Sequence, residues 1–181
     1  MAANLSIAPG IAYSGYPVPL YGPNLLSPAS SSFEDGSTGA WTNTNATIAN
    51  SLAQAFDGTH SIALTSIASG SMQISIPAVS SVPVIGGQTY TLSARFYPAT
   101  TTRTVNFAIT WLDIAGGALT NPNGGNLVEA SAVWNFTYFT AQAPINAYSC
   151  RPVCIVQATA AGGEVQYIDL ISFNQGVFYP T

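Results

Sequence analysis

Two segments of the chain alternate strictly between apolar and polar positions. In each, four apolar side chains share one face: Tyr90, Leu92, Ala94 and Phe96 within residues 89–97, and Val105, Phe107, Ile109 and Trp111 within residues 103–112. A period of two residues is typical of strands that bury one face. Similar segments recur along the chain between Gly and Pro turns, and residues 121–125 are expected to form a loop. No segment shows a helical period. About ten short strands of this kind predict an all-β fold, a β-sandwich or jelly roll.

Residues 1–23 have a different pattern from the rest of the chain. Prolines at positions 9, 17, 19 and 23 disfavour both a helix and a central strand. A disordered tail is one interpretation of this segment. The segment is nevertheless more apolar than a solvated linker, with Ile7, Ile11, Tyr13, Tyr16, Val18, Leu20 and Tyr21. We therefore expect an extended N-terminal arm at 1–23, packed on its own domain or on a neighbouring subunit, and a sandwich at 24–181.

Charge is scarce, which narrows the classes of partner. Only 6% of residues are charged and the net charge is −4, with Arg95, Arg103 and Arg151 as the only Lys or Arg residues. So few cations cannot neutralise a phosphate backbone, which argues against nucleic-acid binding. No apolar run reaches the length of a membrane span. A polar but uncharged surface suits neutral sugars, and it equally suits a protein assembly in which few charges are desolvated.

The start of the sequence and its two cysteines bear on the compartment. The first residues, MAANLSIAPG, lack the basic and apolar regions of a secretory signal peptide, so we expect no export by that route. Cys150 and Cys154 would lie about 13 Å apart in an extended strand, too far for a disulfide. A turn at Arg151-Pro152 would allow a bridge. A disulfide and two buried thiols therefore both remain open.

The order of short motifs resembles that of jelly-roll carbohydrate-binding modules. The motifs are NLL (24–26), SFEDG (32–36), GAW (39–41), FDGTHSIAL (56–64), GGQTYTLSA (86–94), VNFAITWLDIAGG (105–117) and GEVQYIDLIS (163–172). They extend over nearly the whole chain beyond the arm. The combination looks most like modules in minor tail proteins of phages that infect actinobacteria, and similar modules flank secreted glycoside hydrolases. Leu170 departs from the pattern, because the family often has Asp there.

The resemblance also implies a structural calcium ion. Carried over to this sequence, Glu34 and Asp169 would supply carboxylates, and the backbone carbonyls of Ser32, Asp57 and His60 would complete the site. Oxygen ligands of this kind suit a hard cation. The alternative is that Glu34 and Asp169 are hydrogen-bonded acids at turns and hold no metal.

Residues for catalysis are sparse, whereas residues for sugar binding are present. The seven acids are scattered; Asp113 and Glu129 could meet in principle, but each lies beside a turn. His60 has no nucleophile motif to accompany it, so we expect no enzyme.

Sugar binding needs exposed aromatic rings beside hydrogen-bonding side chains. The candidates for a glycan site are Arg95, Tyr97, Asn106, Trp134 and Tyr138. Trp41 and Trp111 are expected in the core, and the competing interpretation places all three tryptophans in the core or in an interface.

These observations predict a non-catalytic phage virion protein, a minor tail or capsid decoration protein present in many copies. It would contact other virion proteins through the arm and host-surface polysaccharide through the sandwich. Many copies would strengthen weak glycan contacts by avidity. The alternative is a glycan-binding module of a secreted glycoside hydrolase.

Overall fold

The computed structural model describes residues 22–177, which form a sandwich of two antiparallel β-sheets. The strands of this part of the chain are β1 Thr42–Thr44, β2 Ala46–Ser51, β3 Ser61–Ser66, β4 Gly70–Ser75, β5 Val82–Pro83, β6 Thr89–Pro98, β7 Thr104–Leu112, β8 Ala118–Thr120, β9 Asn123–Val128, β10 Asn135–Gln142, β11 Ser149–Thr159 and β12 Val165–Gln175. A four-residue helix, α1 Pro28–Ser31, and a 3-10 turn, Ala78–Ser80, accompany them. The predicted all-β jelly-roll sandwich is confirmed. The predicted arm lies outside the described residues except for Gly22 and Pro23.

Several strands that follow one another in sequence lie in different sheets. The five-stranded sheet has the order β10-β6-β12-β3-β2. The seven-stranded sheet has the order β1-β4-β11-β7-β8, with β5 also paired to β11 and β9 also paired to β7. The two long alternating strands, β6 and β7, therefore lie in opposite sheets. Their apolar faces point towards each other, and their polar faces point to opposite sides of the molecule.

The core consists of the inward faces that the alternation predicted. The inward residues of β7, Val105, Phe107, Ile109 and Trp111, have no exposed surface. Phe96 of one sheet contacts Phe107 of the other at 5.7 Å between ring centroids, and Tyr90 contacts Trp111 at the same distance. Each large apolar side chain buried in this way contributes about 1.5–3 kcal/mol. Trp41 is buried as well and donates from Nε1 to the carbonyl of Ser30, so both predicted core tryptophans are confirmed.

One predicted loop is instead a strand. Residues 121–125 were expected to form a loop, but β9 begins at Asn123 and pairs with β7. Its glycines lower the strand propensity that the sequence shows. They are needed because the neighbours come close: a Cβ on Gly124 would lie 2.6 Å from the Phe139 ring, and one on Gly125 would lie 2.4 Å from the Tyr138 carbonyl oxygen.

Both cysteines lie on the inward face of β11 and are free. Cys150 lies opposite Trp111 and Cys154 opposite Phe107, so the strand is extended through Pro152 and makes no turn. The proline is tolerated where the neighbour of β11 changes, because β5 pairs with residues 149–150 and β4 pairs with residues from Val153 onwards. Burial raises the pKa of both thiols. Of the two alternatives, the structure shows the buried thiols.

Candidate functional site

Aromatic side chains gather on the outer face of the five-stranded sheet. Tyr167 of β12 lies opposite Tyr97 of β6, and their ring centroids are 6.3 Å apart. Trp134, immediately before β10, continues the row at 5.5 Å from Tyr97. The three rings are half-buried, so they form a row across neighbouring strands that keeps accessible surface.

A second set of contacts surrounds the guanidinium group of Arg95. Its Cζ atom lies 3.8 Å from the ring centroid of Phe56 and 5.1 Å from that of Phe136. Phe56 meets Trp134 edge-on at 6.0 Å, and Phe136 stacks with Tyr138 at 6.3 Å. A cation over an aromatic face is attracted by the ring quadrupole. We call the whole group the aromatic face; it consists of Phe56, Arg95, Tyr97, Trp134, Phe136, Tyr138 and Tyr167.

The structure brings together four of the five predicted glycan-site residues, Arg95, Tyr97, Trp134 and Tyr138. Asn106 does not join them, because β7 belongs to the other sheet and its outer face points away. Asn106 is also only 5% exposed. The error has a plain cause: alternation shows which residues point outwards from a strand, but it does not show in which sheet the strand lies.

Sequence reasoning missed Phe56, Phe136 and Tyr167. Phe136 could have been found, because it shares a strand face with Tyr138 and lies two residues after Trp134. Strand alternation would place Tyr167 on one face with Ile171 and Phe173. Only the register shift between Asp169 and Ser172 turns Tyr167 outwards while those two residues are buried. No pattern in the sequence marked Phe56 as a site residue, since it belongs to the loop at residues 52–60 that joins β2 and β3. Only tertiary structure brings this loop onto the aromatic face.

Two carboxylates bind the backbone of the 52–60 loop. Asp169 Oδ2 accepts hydrogen bonds from the N–H groups of Phe56 at 2.8 Å and Asp57 at 3.2 Å. Glu34 Oε1 accepts from the N–H of His60 at 2.8 Å, and both Glu34 oxygens accept from the N–H of Thr59. The remaining Asp169 oxygen accepts from the N–H of Leu170 at 2.7 Å.

The two carboxylates differ in electrostatics although both bind N–H groups. The hydrogen bonds from His60 and Thr59 lower the pKa of the exposed Glu34. Burial raises the pKa of Asp169, which has no exposed surface, and its hydrogen bonds to the loop partly offset that rise. Each acid thus holds the loop by bonds that are strongest when the carboxylate is ionised.

The predicted calcium ligands do not fit the ion in this arrangement. Calcium binds about six to eight oxygen atoms. Here five backbone N–H groups point at Glu34 and Asp169, four of them from the 52–60 loop, so partial positive charge lies where a cation would have to approach them. Within residues 22–177 no three His, Cys, Asp or Glu side chains are grouped as a metal site requires.

The acids that could have met for hydrolysis lie at opposite ends of β7. Asp113 accepts from the N–H groups of Ala115 and Gly117 in the turn after β7. Glu129 lies beside Arg103 at the start of the same strand, because its N–H donates to the Arg103 carbonyl. A strand of this length separates them by about 30 Å. A pair of glycosidase carboxylates lies within about 10 Å, so these two acids do not form one.

A recess of about 410 Å³ lies away from the aromatic face, at the far end of β6 and β12. It is lined by Gly22, Gly87, Gln88, Thr89, Gln175 and Gly176. This lining has neither aromatic rings nor ionisable side chains. It therefore lacks the stacking surface of the aromatic face. In the described part of the chain, no helix is long and apolar enough to cross a membrane.

The chain is similar in fold to solved carbohydrate-binding modules. The CBM22-1 xylan-binding domain of Paenibacillus barcinonensis Xyn10C aligns with a TM-score of 0.65 and 17% identity, over 86% of this chain and 96% of that domain. The CBM22-1–GH10 modules of Clostridium thermocellum xylanase 10B align with a TM-score of 0.64 and 16% identity, over 83% of this chain and 29% of that one.

A phage protein has the same architecture. The enzymatically active domain of tailspike protein 4 from bacteriophage CBA120 aligns with a TM-score of 0.64 and 17% identity, over 84% of this chain. This chain spans about a fifth of that protein, 21%. The sequence matches no protein-family profile and no curated protein. Similarity at such low identity establishes the shared jelly-roll fold.

Proposed function

We propose that this chain is a non-catalytic glycan-binding domain and that its ligand lies on the aromatic face. The observation that carries the proposal is the half-buried row of Tyr167, Tyr97 and Trp134 on one sheet. Sugar rings stack on aromatic side chains through their apolar faces, and a row of rings suits several consecutive sugars. The similarity in fold to xylan-binding domains supports the same use of this chain.

The shape of the face favours a polysaccharide chain that runs across the strands. The three rings follow one another from β12 through β6 to the residue before β10, at spacings of 5.5 and 6.3 Å. Arg95 lies beside the row and supplies N–H donors for sugar hydroxyls. Since the face carries one cation, the proposed ligand is held mainly by stacking and neutral hydrogen bonds.

A panel of purified polysaccharides tests this proposal with matched variants. The wild type is expected to retard in affinity gels that contain the ligand. Trp134→Ala is expected to weaken the affinity at least about tenfold, because it removes the largest ring of the row. Tyr148→Ala is the control, since Tyr148 is 58% exposed and lies before β11 of the other sheet. Absence of binding to every glycan, or equal binding by wild type and Trp134→Ala, would refute the proposal.

We further propose that the domain belongs to a phage virion, as a minor tail or decoration protein present in many copies. Three observations support it: the scarcity of charge, the apolar sequence of residues 1–23 and the fold shared with a tailspike. The calcium ion predicted from sequence is not part of this proposal. Light scattering on the full chain and on a chain lacking residues 1–21 tests the assembly, and only the full chain is expected to form a multimer.

The second candidate is a module of a secreted glycoside hydrolase, favoured by the similarity to the xylanase modules. Detection of the protein in purified phage particles by mass spectrometry would favour the virion. A full-length chain that stays monomeric and is found only with a hydrolase would favour the module.

A further inference from the structure

The 52–60 loop contributes a wall of the aromatic face, although it belongs to no strand. Its Phe56 ring is packed between the guanidinium of Arg95 at 3.8 Å and the indole of Trp134 at 6.0 Å. The backbone N–H of the same residue is bound by Asp169. Asp169 therefore binds the backbone of Phe56, while Arg95 and Trp134 contact its ring.

The loop is held at four backbone N–H groups by two acids from distant parts of the chain. Glu34 lies 25 residues before Thr59, and Asp169 lies 113 residues after Phe56. Such spacing means that the tertiary fold, and not local turn preference, determines where the loop lies. Hydrogen bonds from N–H groups to an ionised carboxylate are among the strong ones in proteins.

Gly58 shows how closely the Glu34 carboxylate approaches the loop. Its φ is +68°, and a Cβ at this position would lie 2.5 to 2.7 Å from the carboxyl carbon and both oxygens of Glu34. A side chain here would be strained and would displace the acid. The backbone at Gly58 is therefore in direct contact with the carboxylate, with no space between them for an ion.

We infer that Asp169 and Glu34 are positioning residues for the glycan site, and that they hold Phe56 against Arg95 and Trp134 without a metal ion. The acids bind the N–H groups of the loop directly. They therefore hold the loop in place, which is the role that the sequence assigned to a calcium ion. Asp169 acts at Phe56 and Asp57, next to the site, and Glu34 acts at Thr59 and His60. The effect on glycan affinity rests on the proposed function, whereas the bonding of the loop does not.

Amide hydrogen exchange resolved by NMR tests the two acids separately. Asp169→Ala is expected to speed the exchange of the Phe56 and Asp57 amides about tenfold or more, with little change at Thr59 and His60. Glu34→Ala is expected to show the reverse pattern. Should Asp169→Ala not fold, the exposed Glu34 still provides the test. Asp113→Ala is the matched control, because Asp113 also accepts two backbone N–H bonds, but in a remote turn.

Two further measurements complete the test. Because an ion that binds only the folded state raises the unfolding temperature, CaCl2 and EDTA are expected to leave that of the wild type unchanged. For a glycan that the wild type binds, Asp169→Ala and Phe56→Ala are expected to lose affinity by similar factors, and Asp113→Ala to lose none. Unchanged exchange at all four amides in both variants, or stabilisation by calcium that Asp169→Ala abolishes, would overturn the inference. If no glycan binds, the proposed function fails, while exchange and calcium response still decide the role of the acids.

Discussion

Two regions of this molecule differ in how far their buried polar atoms are hydrogen-bonded. Around the aromatic face, Asp169 is fully buried, yet both of its oxygens accept backbone N–H groups. In the region of β7 and β9, on the other sheet, Glu129 is also buried, but its Oε1 has no hydrogen-bond partner within residues 22–177. The same holds for Oδ1 of Asn106 on β7. It also holds for Oε1 of Gln166, which lies on β12 of the first sheet but is buried and donates from Nε2 to Glu129.

The difference shows what each region contributes. Partnered carboxylates hold one backbone arrangement, which suits a surface whose rings must keep their spacing. An acceptor without a donor lowers stability and makes it sensitive to protonation. We therefore expect substitutions near the aromatic face to change binding, and substitutions in the β7–β9 region to change stability.

The largest expected effect comes from Glu129. Burial raises its pKa to about 7, against 4.5 for a solvated Glu, while hydrogen bonds from Arg103 and Gln166 oppose that rise. Below pH 4.5 the acid is protonated in both states. Between pH 4.5 and 7 only the unfolded state ionises, so the free energy of unfolding falls as the pH rises. The loss above pH 7 is about 3 kcal/mol.

Denaturant unfolding of Glu129→Gln at pH 5 and pH 8 checks this prediction. The variant is expected to be more stable than the wild type at pH 8, with a smaller difference at pH 5. Glu164→Gln is the control. The ion pair with Arg103 lowers the pKa of Glu164, so ionisation of Glu164 stabilises the folded state, opposite to ionisation of Glu129. Equal pH dependence of wild type and Glu129→Gln would contradict the prediction.

A smaller effect is expected from exchanging arginine for lysine on each sheet. Arg95→Lys keeps the charge but removes the planar group that contacts Phe56 and Phe136. Glycan affinity is expected to fall about three- to tenfold, by calorimetry or gel retardation. Arg151→Lys is the partner experiment on β11, where Arg151 binds the Ile76 carbonyl. It is expected to leave affinity unchanged, and equal losses in both variants would remove the contrast between the regions.

The smallest effect is expected at Asn106. Asn106→Leu removes a buried oxygen that has no partner within residues 22–177 and keeps the branched shape of the side chain. Stability in denaturant is expected to stay the same or to rise by up to about 1 kcal/mol. Glycan binding should not change, because the residue faces away from the aromatic face. A large loss of stability would mean that the Asn106 side chain has a hydrogen-bond partner. A loss of glycan binding would mean that Asn106 belongs to the glycan site.

The glycan site could be predicted from sequence only where its residues lie on strands. Arg95, Tyr97 and Tyr138 follow from strand alternation, and Phe136 could have been added on the same grounds. Tyr167 could not, because it points outwards only through the register shift between Asp169 and Ser172. Phe56 could not, because nothing in its neighbourhood in sequence shows that Asp169 binds its backbone. The calcium prediction correctly placed Glu34 and Asp169 beside the 52–60 loop. It could not show that backbone N–H groups of the loop face these acids.

The sequence by itself determined the strand periodicity, and with it the all-β class, the inward faces of β6 and β7 and the burial of Trp111. These properties follow from local alternation of apolar and polar side chains, which has only one stable orientation when one face must leave water. Tertiary structure alone decided that β6 and β7 belong to opposite sheets, so that Arg95 and Asn106 face opposite sides. It also decided that the 52–60 loop lies on the aromatic face, because hydrogen bonds to Glu34 and Asp169 come from segments far away in sequence.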